Sequence, residues 1–225
     1  MIQDTRASDL AALRLLDDPV RRRLYDWVVA QPGAVGREQA AAATGVSRSL
    51  AAFHLDKLTD AGLLDASYRR LTGRVGPGAG RPARVYQRSE REFDVTVPDR
   101  RYRGAADLFA DALERIGDGG PPPALIDAAR RTGRRLGRGH RRGAARSRLT
   151  RALSEGGYEP IDEHGTIRLR NCPFDALTDE HRSLVCGTNL ALAQGIAAGA
   201  DATAFEPVLD SRPGYCCVAF NERAG

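Results

Sequence analysis

The sequence predicts an α+β fold in three parts: a helical N-terminal module closed by two strands (1–95), a helical connector (96–150) and a C-terminal α/β module (151–225). Three observations carry this. Apolar residues recur at helical spacing through the first sixty positions. Two strand-like runs, 63–70 and 84–87, flank a stretch rich in Gly and Arg. Beyond position 156, strand and helix patterns mix, and all four cysteines (Cys172, Cys186, Cys216 and Cys217) fall in this last part.

Composition bounds the function. The chain has 225 residues, 42% hydrophobic and 28% charged, as expected of a soluble globular protein of two modest domains. No apolar run approaches the ~20 residues of a membrane span. The opening Met1-Ile2-Gln3-Asp4 lacks a basic region followed by an apolar stretch, so a cytoplasmic location is expected. Thiols stay reduced there, and four cysteines then point to metal binding or redox sensing before structural disulfides. The pI near 9.3 fits a polyanionic partner. That signal is weakened because Lys57 is the only lysine, an arginine bias that a GC-rich coding sequence produces by itself.

Taken in order, 8–16 reads as a short amphipathic helix with Leu10, Leu13, Leu15 and Leu16. Asp18-Pro19 supplies an N-cap and a proline at the first helical position. The helix it opens runs to about Gln31 with Val20, Leu24, Trp27 and Val28 inward, and Pro32-Gly33 stops it. A third helix spans roughly Arg37 to Ala43. Thr44-Gly45-Val46 then makes a tight turn, and Ser47 caps a fourth helix ending near Gly62. Two helices joined this way have the helix-turn-helix layout, the second being the reader. The strands around 72–82 form a wing, and 94–98 is a connector.

A recognition helix must bury one face and offer the other to the major groove. Ala51, Leu55 and Leu58 lie at i, i+4, i+7 and face the core. Arg48, Ser49, Ala52 and Phe53 lie near the opposite face, beside the capping Ser47. Arg48 can pair with guanine or phosphate, Ser49 can bond a phosphate or base edge, and Ala52 and Phe53 can touch a thymine methyl. His54 and Lys57 are expected phosphate contacts. In the wing, Arg81 can enter the minor groove, and Arg84 is a further candidate. The partner implied is a double-stranded DNA operator.

Further on, 101–116 is helical, with Tyr102, Ala105, Leu108, Phe109 and Leu113 on one face available for core or dimer contacts. Helical pattern resumes from Ala124 to about Ser154, interrupted at 137–143, and carries an arginine run that reads as a solvated face or a nucleic-acid patch. Strands are expected near 157–161, 166–170, 202–209 and 215–220, with a helix from about Asp179 to Ala198.

Thiolates ligate zinc and iron–sulfur clusters. The four cysteines include no CxxC pair, so spacing alone leaves a metal site and a set of buried thiols both open. Adjacent strand residues point to opposite faces, so only one of Cys216 and Cys217 is expected to reach a shared site. His181 is a possible fourth ligand for zinc. No phosphate-binding glycine loop with its lysine and no nucleophile motif is present, so the chain is not expected to be an enzyme.

Leu50 to Leu64, with its His-Leu-Asp-Lys-Leu core and Ala-Gly-Leu-Leu exit, resembles the winged helix-turn-helix of ArsR-like bacterial regulators. Gly80-Arg81-Pro82-Ala83-Arg84-Val85-Tyr86 is similar to the wing of SufR-like repressors of iron–sulfur cluster assembly. Asn171-Cys172-Pro173-Phe174 and Gly214-Tyr215-Cys216-Cys217-Val218 are similar to the C-terminal half of the same group. That resemblance implies a homodimeric repressor with a C-terminal sensor domain. It implies cluster ligands at Cys172, Cys186 and one of the doubled cysteines, Cys217 preferred over Cys216. Zinc, or a small-molecule effector with purely structural cysteines, is the alternative.

Overall fold

The computed structural model describes residues 2–69, 82–93, 95–96, 102–140 and 142–223. Arg81 lies outside the described residues, as do most of the wing loop and Arg141. The chain divides into two compact units, 1–100 and 101–225. The helices that the sequence set apart as a connector therefore belong to the second unit.

The first unit is helical with a small sheet. α1 (Ile2–Arg14) is continued by a 3₁₀ turn at Leu15–Asp17. α2 (Pro19–Ala30) starts as Asp18 and Pro19 predict, the Asp18 carboxylate accepting from the amides of Val20 and Arg21. α3 (Arg37–Thr44) ends at Gly45, whose φ of +71° only glycine adopts cheaply. α4 (Arg48–Asp60) is capped by the Ser47 hydroxyl, which accepts from Leu50 N–H. β1 (Val35–Gly36), β2 (Leu64–Arg69) and β3 (Ala83–Arg88) form an antiparallel sheet in the order β1-β3-β2. Leu24, Val28, Ala51, Leu55, Leu58, Leu64 and Tyr86 make the core. One expectation fails: among the described side chains of α1 the buried ones are Asp9 and Ala12, while Leu10 and Leu13 stay exposed.

The second unit packs helices on a four-stranded antiparallel sheet. Its elements are α5 (Tyr102–Ile116), α6 (Pro123–Arg138), α7 (Ala145–Glu155), β4 (Pro160–Glu163), β5 (Thr166–Leu169), α8 (Thr178–Gly199), β6 (Phe205–Leu209) and β7 (Val218–Glu222). The strand order is β4-β5-β7-β6. α6 and α8 approach backbone to backbone because glycines face each other, Gly133 and Gly137 on α6 against Gly195 and Gly199 on α8. α8 is thereby buried along most of its length, and Leu149, Leu153, Ile167, Leu169, Ile196, Val218 and Phe220 complete the core.

α5 contributes little to the core of this unit. Its single buried residue is Ala110, while Tyr102, Leu108, Phe109 and Ile116 are each about 70% exposed. The doubled cysteines differ from expectation: β7 begins at Val218, so Cys216 and Cys217 sit in a bend before the strand. The alternation of a pleated strand does not separate their side chains there.

Candidate nucleic-acid interface and cysteine site

α4 presents the face that the periodicity predicts. Ala51, Leu55 and Leu58 are fully buried, whereas Arg48, Ser49 and Phe53 are exposed and Ala52 is half-buried. The Ser47 and Ser49 hydroxyls lie 3.2 Å apart at the helix start, where unpaired amides favour an anion. Arg48 pairs with Glu38 at 2.9 Å, but both side chains are more than half exposed. Such a contact is worth little and can be exchanged for a phosphate or a base. Lys57 stands 5.1 Å from the centre of the Phe53 ring, which keeps its ammonium on the exposed side.

His54 is a correction. Only 6% exposed, it is turned toward α2, where Nδ1 accepts from Arg21 Nε at 3.3 Å. Burial holds its pKa below the ordinary 6.5, with Arg21 and Lys57 pushing the same way against Asp18. A neutral, enclosed imidazole is not a phosphate contact. Folding thus disfavours its protonated form, and the unfolded chain takes up the proton first. The sign is that this unit is most stable above about pH 6.5 and loses stability as pH falls through that value. Urea unfolding followed by Trp27 fluorescence should show a lower midpoint at pH 5.5 than at pH 7.5, and His54→Leu should remove much of that difference. An unchanged difference would assign the pH dependence to another group.

Arg84 is not a free cation either. It pairs with Asp56 of α4 at 3.0 Å and lies over the Tyr86 ring, and the Tyr86 hydroxyl donates to the same carboxylate at 2.8 Å. Burial, then the bond to Asp56, raises the Tyr86 hydroxyl to about 12. The base of the wing is thus bolted to the reader helix through Asp56. Both Asp56 and Tyr86 lay inside quoted motifs, but only the folded pairing shows their joint role. Residues 16–65 match the family model of a helix-turn-helix domain. No curated protein and no solved structure matches the chain. The matched segment covers α2 through the first residues of β2, α4 included, so the chain carries a helix-turn-helix domain, a fold that DNA-binding transcription regulators use.

In the second unit the four cysteines come together from three places. Cys172 follows β5, Cys186 lies on α8, and Cys216 and Cys217 precede β7. The sheet order explains the meeting, because β5 and β7 are neighbours and Cys216 N–H donates to Leu169 C=O at 2.8 Å. The thiols form a chain of contacts: Cys172 to Cys216, Cys216 to Cys217, and Cys217 to Cys186. Cys216 is central and buried, the others half-buried. Hydrogen bonds from Cys172 and Cys217, aided by the Val218 amide and Asn189, outweigh burial and favour the Cys216 thiolate. Both neighbours are pushed the other way, chiefly by the bond to Cys216 and by burial. Asn189, three residues beyond Cys186 on α8, points its Nδ2 at Cys216 Sγ (3.2 Å) and Cys172 Sγ (3.9 Å). Its side-chain oxygen accepts from the Tyr158 hydroxyl.

His181 is elsewhere. Its Nδ1 meets Glu114 of α5 at 3.0 Å, an interaction that raises its pKa. Among the described residues no group of three or more His, Cys, Asp or Glu side chains is arranged to hold a metal ion. Arg131, Arg134, Arg135 and Arg138 line the exposed side of α6. No helix among the described residues is long and apolar enough to cross a membrane.

Proposed function

We propose that this chain is a sequence-specific DNA-binding transcriptional repressor, without enzymatic activity, whose second unit senses redox or metal state through an iron–sulfur cluster on Cys172, Cys186, Cys216 and Cys217. The observation that carries the sensing half is the convergence of every cysteine of the chain on one partly buried site. The donor set fits the group. Four thiols supply the usual ligand count, and buried N–H groups are aimed at the sulfurs. The bound cluster would supply one-electron chemistry; the protein holds it, limits water access and tunes its charge.

A homodimer on a two-fold operator agrees with the reader helix, since paired half-sites multiply affinity. The apolar outer face of α5, with Tyr102, Leu108, Phe109 and Ile116 exposed, supports a second copy as its cover.

Two measurements test the reading. Anaerobically purified protein should be brown, with broad absorption near ~400 nm and matching iron and sulfide. Stoichiometric zinc or a colourless metal-free protein would overturn the cluster. For the reader, an operator selected from random duplexes with the native chain should lose roughly 10–100-fold in affinity for Arg48→Ala, the ~1–3 kcal/mol of one specific base contact. Unchanged binding would remove α4 from the interface.

A further inference from the structure

A buried amide must place one acceptor and two donors. Asn189 is 1% exposed, so water does not satisfy it. Its oxygen is taken by the Tyr158 hydroxyl, itself on a buried ring. That bond fixes which way the amide faces, and the N–H side then points at two sulfurs, Cys216 at 3.2 Å and Cys172 at 3.9 Å. A neutral thiol is a weak acceptor, and an apolar residue of similar size would fill this place without burying an amide. A donor held so firmly toward sulfur matches a sulfur that carries negative charge. Cys186 and Asn189 also stand one turn apart on α8, so ligand and donor share a face.

We propose that Asn189, oriented by Tyr158, is a positioning residue of the cysteine site: its side-chain amide stabilises negative charge on the Cys216 and Cys172 sulfurs and so raises the reduction potential of a cluster bound there. This rests on the cluster reading given above. Reduction adds an electron that the cluster shares with its sulfurs, and an N–H···S bond strengthens as that charge grows. Cys216, the nearer of the two sulfurs to the amide, gains the most from this donor.

The test uses the full chain. Wild type, Asn189→Leu and Tyr158→Phe are purified anaerobically, and iron, sulfide and midpoint potential are measured. The expected result is a lower potential in both variants at wild-type iron and sulfide, the larger drop in Asn189→Leu. Tyr158→Phe keeps the amide and removes only its orienting partner, so it serves if Asn189→Leu fails to fold. Wild-type potentials in variants that retain the cluster would overturn the proposal. Side-chain amide NMR of the reduced, metal-free wild type is recorded alongside. Slowly exchanging Asn189 protons that shift in Cys216→Ser support the N–H···S bond; freely exchanging protons, or none that respond, overturn it. A wild type that takes up no cluster sinks the cluster reading and the potential-setting role with it. The amide measurement then decides whether the donor geometry stands by itself.

Discussion

Gly133→Ala is expected to destabilise the second unit by about 3 kcal/mol or more, the upper range for overpacking, because backbone must yield where a side chain cannot. The added Cβ would overlap the Leu192 carbonyl oxygen and stand 2.8 Å from Ile196 N and 2.9 Å from Gly195 Cα. These are backbone atoms of α8, held by the helix's own hydrogen bonds, so no rotamer change relieves the contact. Gly195→Ala meets the same barrier from the other side, against Arg130 C=O and Arg134 N. Gly104 on α5 is the control. A Cβ there meets nothing within 4 Å, so Gly104→Ala should be neutral or stabilising by about 0.5–1 kcal/mol through helix propensity. Trp27, the only tryptophan, lies in the first unit. Far-ultraviolet circular dichroism should therefore show an early transition in Gly133→Ala while the Trp27 fluorescence transition stays in place. Equal melting of the two glycine variants would mean that the close approach of α6 and α8 is not what holds this unit together.

Cys216→Ser should abolish assembly of the cluster proposed above, the largest effect expected of any single thiol. Cys216 is the buried centre of the chain, touched by two other thiols and by Asn189. Serine keeps the volume but offers a hydroxyl that is a poor iron ligand at neutral pH. Cys186→Ser, at the end of the chain with one thiol neighbour, should retain more iron than Cys216→Ser. Iron and sulfide per chain after anaerobic reconstitution decide between them. Equal retention in the two variants would contradict a centre at Cys216.

How far the candidate sites were legible differs between the two units. In α4 one face is buried and the other exposed, so its periodicity alone placed Ala51, Leu55 and Leu58 inside and Arg48, Ser49 and Phe53 outside. His54 was misplaced because it flanks the apolar stripe, and only the packing of α2 encloses it. Arg84 looked like a wing cation because its partner Asp56 is 28 residues away along the chain. The cysteines gave the weakest sequence signal: their spacing is irregular, and their meeting depends on β5 and β7 being neighbours across a long helix. Asn189 left no signal at all, being a lone asparagine in an apolar helix.

By itself the sequence determined what local chemistry determines. It set helix starts at Asp18-Pro19 and Ser47, the turn at Gly45, and the apolar faces of α2 and α4, because capping, positive φ and periodicity act within a few residues. Only the tertiary structure decided that α6 belongs with α8, that both doubled cysteines join one chain of thiols, and that Asn189 faces sulfur. Those outcomes depend on strand order and on backbones approaching through glycine, contacts between residues distant in sequence that no local pattern encodes.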